Sequence, residues 1–112
     1  MRKEYNKLVR DKIPEIIHQS GNQCETKTYS DSEYIQALRQ KLVEEAHEAA
    51  IASPDELAQE LADVMEVIDA LLAATGIDPA QVREVQKEKR SLLKGGFDNR
   101  IKLLSTELNN QP

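Results

Sequence analysis

Two helix-start signals stand 23 residues apart, Ser30-Asp-Ser-Glu33 and Ser53-Pro-Asp-Glu56, with no glycine or proline between the first signal and Ser53. In such a box the serine hydroxyl accepts from the amide three residues on, and the glutamate reaches back. Pro54 also suits a first helical position. The first helix is expected to run to about Ala52. The second is expected to end near Thr75-Gly76, where glycine supplies a left-handed cap. Almost no chain remains between the two, so the turn must be very short and the helices must fold back as an antiparallel hairpin.

Acids sit in unusual places on that hairpin. At about 100° per residue, Ile35, Leu38, Leu42, Ala46 and Ala49 share one stripe of the first helix. Glu45 lies within about 20° of Leu38, inside the stripe, and Glu48 sits on its shoulder. On the second helix Leu57, Leu61, Val64, Ile68, Leu71 and Leu72 form the stripe. Glu60 projects between Val67 and Leu71, and Asp63 lies on the adjacent edge. Glu45 and Glu48 precede the turn by about as much as Glu60 and Asp63 follow it, so the hairpin stacks the two pairs at one level. Unpaired carboxylates on a buried face cost several kcal/mol each. A divalent cation removes that cost, and oxygen-only ligands favour a hard ion, Mg²⁺ first and Mn²⁺ next. The plainer reading lets the same acids reach water and pair with lysine or arginine.

With 112 residues the chain suits one domain, taken as residues 1–112, with one modest core. Aromatic residues make up only 4%. A core of leucine, isoleucine, valine and alanine fits helices packed on helices, an all-α fold. Such a bundle is small for independent stability, which favours oligomerisation. The net charge of -5 argues against a nucleic-acid polymer as partner. It leaves room for a small anionic substrate, because a metal and local cations can invert the sign in one cleft. Cys24 is the only cysteine, so no intrachain disulfide can form. No signal-peptide core is evident, nor an apolar run of the roughly 18 residues that spanning a membrane needs. The expected location is cytoplasmic, with no membrane partner.

The flanks are less constrained. Pro14 suits the first turn of a short helix carrying Ile16 and Ile17 and stopped at Gly21. Lys7, Arg10 and Lys12 read as solvated charges. Residues 22–29 read as an extended connector. Asp78-Pro79 restarts a helix that carries Val82, Val85, Leu92 and Leu93, and Gly95-Gly96 breaks it. Phe97, Ile101, Leu104 and Leu108 share one face of a last amphipathic segment, and the tail from Asn109 is expected to fray. Flanked by Lys94 and Arg100, the Gly-Gly turn can offer backbone N–H groups and charge to a phosphate. A di-iron bundle needs Glu-x-x-His on two helices, and only Glu44-x-x-His47 fits.

Glu44-Glu-x-x-Glu48 followed by Glu60-x-x-Asp63 resembles the E-E-x-x-E … E-x-x-D signature of the all-α nucleoside triphosphate pyrophosphohydrolases. That superfamily contains MazG, the dimeric dUTPases and phosphoribosyl-ATP pyrophosphohydrolase. The start, Tyr5-Asn-Lys-Leu-Val-Arg-Asp-Lys-Ile-Pro14, and the end, Lys94-Gly-Gly-Phe-Asp-Asn-Arg100, are similar to a MazG-like, phosphoribosyl-ATP pyrophosphohydrolase-like branch. The resemblance implies Mg²⁺-dependent cleavage between the α- and β-phosphates of a nucleoside triphosphate, giving a nucleoside monophosphate and pyrophosphate, with a nucleotide-pool-sanitising role. It implies Glu45, Glu48, Glu60 and Asp63 as metal ligands and Glu44 and Glu45 as catalytic carboxylates. Glu44 is left open between orienting water, binding a second ion and reaching a partner subunit. Lys89, Arg90, Lys94 and Arg100 are the implied phosphate-binding residues. The implied assembly is a homodimer or homotetramer in which the hairpin completes a four-helix bundle across a dimer interface. Two alternatives stand beside this reading: phosphoribosyl-ATP pyrophosphohydrolase itself, and a non-catalytic helical interaction module.

Overall fold

The computed structural model describes residues 1–108, and every element in it is helical. In chain order these are α1 (Ile13–Gln19), α2 (Asp31–Ile51), α3 (Leu57–Thr75) and α4 (Pro79–Glu88), the last running into a π-helical turn, Lys89–Leu93. No strand occurs among the described residues. The tail from Asn109, expected to fray, lies outside them. The chain forms two compact units, one spanning Met1–Asp78 and the other beginning at Pro79.

In the first unit the local signals explain most boundaries. Lys12 caps α1 and proline occupies its first turn. Gly21, at φ 88°, ends it and donates its N–H to the His18 carbonyl at 3.0 Å. Residues 22–29 carry no regular structure, as the polar connector suggested. The box at the start of α2 closes in both directions. The Glu33 amide donates to Ser30 Oγ at 3.3 Å, and the Ser30 amide donates to Glu33 Oε1 at 3.1 Å. These bonds, the backbone one foremost, hold the Glu33 carboxyl below its ordinary range, helped by Lys27.

The second box is a correction. α3 begins at Leu57 rather than at Pro54, its N-cap is Glu56, and no side-chain cap forms. The chain must reverse direction within a few residues of Ala52, and residues 54–56 are used for that turn. The Glu56 amide bonds the Ser53 backbone carbonyl at 3.0 Å, so the backbone closes the turn. Downstream, α3 ends as expected. Gly76 takes φ 71°, and the Ile77 amide reaches back to the Leu72 carbonyl at 3.0 Å.

α2 and α3 pack against one another as the predicted hairpin. The buried hydrophobic residues among those described are Ala37, Leu38 and Val67, with Leu38 only 2% exposed. The expected stripes split. Val64, Leu71 and Leu72 are half-buried, whereas Leu57, Leu61, Met65 and Ile68 lie open on α3 and Val43 and Ile51 on α2. Two helices have only one mutual face, and a stripe wider than that face stays exposed in a single chain.

In the second unit, α4 exposes Val82 and Val85. Its helical winding loosens at Lys89, whose carbonyl accepts from the Lys94 and Gly95 amides at 2.8 and 3.0 Å. The last amphipathic segment is a second correction. From Phe97 to Leu108 no helix forms, and Phe97, Ile101, Leu104 and Leu108 are almost fully exposed. Helical periodicity does not suffice for a short segment, since stability comes from packing its apolar face.

Candidate metal centre

The hairpin brings acids from both helices to one level. One carboxylate oxygen each from Glu45, Glu60 and Asp63 lies within 4.8 Å of the other two, and all three residues are half-buried. Glu48, one turn after Glu45, is exposed and stands outside this tight group. Its charge still reaches Glu60. Partial burial, then the charges of Asp63, Glu48, Glu45 and Glu56, push the Glu60 carboxyl above its ordinary range. Such crowding strains the ionised site.

Three cations answer it. Lys41, only 17% exposed, lies 3.4 Å from Glu45 Oε1 and 3.5 Å from Glu44 Oε1. Lys7 Nζ donates to Glu44 Oε1 at 2.9 Å, and Arg10 Nη2 donates to Asp63 Oδ1 at 2.7 Å. Lys7's hydrogen bond holds Glu44 below the ordinary carboxylate range against the upward push of burial. The same bond and charge raise Lys7. Among the described residues no lysine or arginine pairs with Glu60. Val9, Arg10, Ile13, Lys41, Glu45 and Asp63 line a cavity of about 230 Å³.

Lys7, Arg10 and Lys41 are the site residues that sequence reasoning missed. The first two read as solvated charges, and their contacts span 37 and 53 residues. The available signal was the Asn6–Pro14 stretch, which places cations at positions 7 and 10 just ahead of a helix start.

The donor set suits a hard divalent ion. It is all carboxylate oxygen, and the repulsion that remains is centred on Glu60. An ion holding its ligands at about 2.1 Å sets adjacent oxygens about 3 Å apart and opposite ones about 4.2 Å apart, so these three oxygens, within 4.8 Å of one another, would draw together to share one ion.

The expected phosphate-binding residues belong to the second unit. Arg90 lines a shallow cavity of about 300 Å³ with Arg83, Gln86 and Lys87. Arg90 also faces Asp98 at 3.8 Å. Lys89, Lys94 and Arg100 do not line that cavity. The Lys94 and Gly95 amides are spent on the Lys89 carbonyl, which reduces what the Gly-Gly turn can offer an anion.

A helical hairpin that gathers carboxylates across its turn defines an all-helical protein with a candidate metal centre, and sequence comparison narrows the class. The family model described as phosphoribosyl-ATP pyrophosphohydrolase matches residues 3–90, and the chain belongs to that family. The family lies in the MazG-like superfamily. It is a family of pyrophosphohydrolases, hydrolases acting on acid anhydrides, and is metal-dependent in general. The match covers both acid pairs, Lys7, Arg10 and Lys41, and ends at Arg90, short of Lys94 and Arg100. A protein of Mycolicibacterium smegmatis described as uncharacterized is 47% identical over 53 residues, 47% of this chain and 54% of that protein. The chain thus spans about half the length of the curated relative it matches. No solved structure matches. No helix is long and apolar enough to cross a membrane among the described residues.

Proposed function

We propose that this chain is a Mg²⁺-dependent nucleoside triphosphate pyrophosphohydrolase that cleaves the α–β phosphate bond, releases a nucleoside monophosphate and pyrophosphate, and serves nucleotide-pool sanitation. The observation that carries this reading is the approach of Glu45, Glu60 and Asp63 to within 4.8 Å across the hairpin, in a chain of a pyrophosphohydrolase family. These three would hold the ion, with Glu48 reaching it by a change of rotamer. When bound, Mg²⁺ (or Mn²⁺) neutralises charge on the non-bridging phosphate oxygens. Glu44, kept ionised by Lys7 and Lys41, and Glu45 beside it are the candidates to orient the attacking water and accept its proton. Lys89, Arg90, Lys94 and Arg100 are the candidates for phosphate contact in the second unit.

The family description favours a second reading, phosphoribosyl-ATP as the substrate. Pyrophosphate release decides between them. The purified chain is assayed with Mg²⁺ or Mn²⁺ against canonical, oxidised and deaminated nucleoside triphosphates and against phosphoribosyl-ATP. Turnover of a triphosphate in preference to phosphoribosyl-ATP supports the first reading, and the reverse order supports the second. No release from any of them, together with a melting temperature that Mg²⁺ leaves unchanged, returns the chain to a helical interaction module. Glu45→Gln and Asp63→Asn are expected to lower kcat/KM on the order of a hundredfold. Glu48→Gln is expected to cost less, because Glu48 sits outside the tight group. Full activity in Glu48→Gln removes it from the ligand set, and unchanged kinetics in Lys94→Ala leave the Gly-Gly turn as only a turn.

The assembly belongs to the same proposal. The open apolar row of α3, with Leu61 47% and Met65 56% exposed, supports a homodimer or homotetramer in which a second hairpin completes a four-helix bundle.

A further inference from the structure

The cations at the acid cluster differ in how firmly they are held. Lys41 is rooted in α2, and its side chain is only 17% exposed, against a Glu45 side chain that is 14% exposed. It forms a fixed wall. Arg10 comes from the irregular stretch before α1, and its side chain is 57% exposed. Its backbone is anchored, because the Ile13 amide donates to the Arg10 carbonyl at 3.1 Å. The guanidinium can therefore swing about a fixed point while its main chain stays in place. That swing has somewhere to go. The 230 Å³ cavity lies between Arg10, Lys41, Glu45 and Asp63. At about 30 Å³ per water molecule it has room for a phosphate group.

Charge decides when the swing occurs. Without an ion, Glu44, Glu45, Glu60 and Asp63 outnumber Lys7, Arg10 and Lys41 by one, so the cluster around the cavity carries net negative charge. A divalent ion on Glu45, Glu60 and Asp63 reverses that balance. It also withdraws charge from the Asp63 carboxylate, whose Oδ1 Arg10 now holds, and so weakens that ion pair. Arg10 is then held less firmly, beside a cavity that has become more attractive to anions. A planar guanidinium matches two phosphate oxygens at once, which a lysine cannot do.

Resting on the pyrophosphohydrolase reading above, we propose that Arg10 is a phosphate-binding residue of this site, parked on Asp63 until a divalent ion takes that carboxylate. Arg10 thus competes with the ion and cooperates with the phosphate. Those two effects carry opposite signs, which a purely structural ion pair would not produce.

The test uses the full chain, with Mg²⁺ alone and inorganic pyrophosphate in saturating Mg²⁺ as probes, both followed by calorimetric titration. Arg10→Gln is expected to bind Mg²⁺ several-fold more tightly than the unaltered chain. It is expected to bind pyrophosphate about ten- to hundredfold more weakly. Arg10→Lys keeps the charge without the fork, and should restore Mg²⁺ affinity while recovering pyrophosphate only in part. Lys12→Gln, two residues along the same stretch, should change neither. Weaker Mg²⁺ binding in Arg10→Gln, or pyrophosphate affinity unchanged in Arg10→Gln and Arg10→Lys, overturns the proposal. Failure of the functional reading looks different. If the unaltered chain hydrolyses no nucleotide yet Arg10→Gln shows both opposed shifts, the role of Arg10 stands and the reaction falls. If nucleotides are hydrolysed and the shifts are missing, the reverse holds.

Discussion

Glu60 is the residue at which the ion-free site is least comfortable. Its carboxyl is pushed above the ordinary range by burial and by four neighbouring acids. A folded-state pKa above the unfolded value means that the folded chain binds the extra proton. The associated stability is present below the unfolded pKa and is lost as pH rises through the folded one. Glu60→Gln should therefore raise the melting temperature in EDTA at neutral pH, and the gain should vanish in acid. With Mg²⁺ added the order should invert, because the unaltered chain gains a ligand that the variant lacks. A melting series over pH, with and without Mg²⁺, checks both signs. The closeness of Glu45, Glu60 and Asp63 was legible in the sequence because their spacing set them against the apolar stripe, whereas Glu48, expected among them, stands outside. Their cationic partners were not, since nothing local distinguishes an arginine that reaches a residue 53 positions away from one that reaches water.

Among the elements, α2 is the best specified. Both halves of its cap lie within four residues, so the sequence displayed the whole device. Ser30→Ala should cost about 1 kcal/mol and lower the melting temperature by several degrees. Because the cap depresses Glu33, its contribution is present above the unfolded pKa and is lost as pH falls through the folded value. The Ser30→Ala deficit should therefore shrink in acid. Ser53→Ala, at a box with the same letters, should change the melting temperature little, because the turn is closed there by the Ser53 backbone carbonyl. Gly76→Ala should cost about 1 kcal/mol through its φ of 71° alone, as no atom stands within 4 Å of the added methyl. What misled at Ser53 was a demand made by the neighbouring helix. Its end and the reversal of the chain claimed the residues that a local rule assigns to a first helical turn.

For the whole molecule, three buried side chains make a slender core among the described residues. A chain of this size folding alone has little margin. Light scattering should report a dimer or tetramer, and Leu61→Glu with Met65→Glu should shift the mass toward the monomer and lower the melting temperature. A monomeric mass for the unaltered chain would sink the bundle proposal. The same gap explains why residues 97–108 read as amphipathic yet form no helix: a sequence records which face wants covering, and the covering itself is supplied by another surface.

The strap formed by Lys7 and Arg10 has one further consequence. It joins the opening stretch of the chain to α2 and α3 through two polar contacts, both open to solvent. If Asp63 turns from arginine to an ion, the Arg10 side chain loses its hold on α3 while its backbone stays anchored by the Ile13 amide, and an arriving phosphate ties the side chain down again. The magnetic-resonance signal of the Arg10 guanidinium would then move with Mg²⁺ alone and move again once pyrophosphate is added, so the front of the chain becomes a built-in gauge of what the carboxylates are holding.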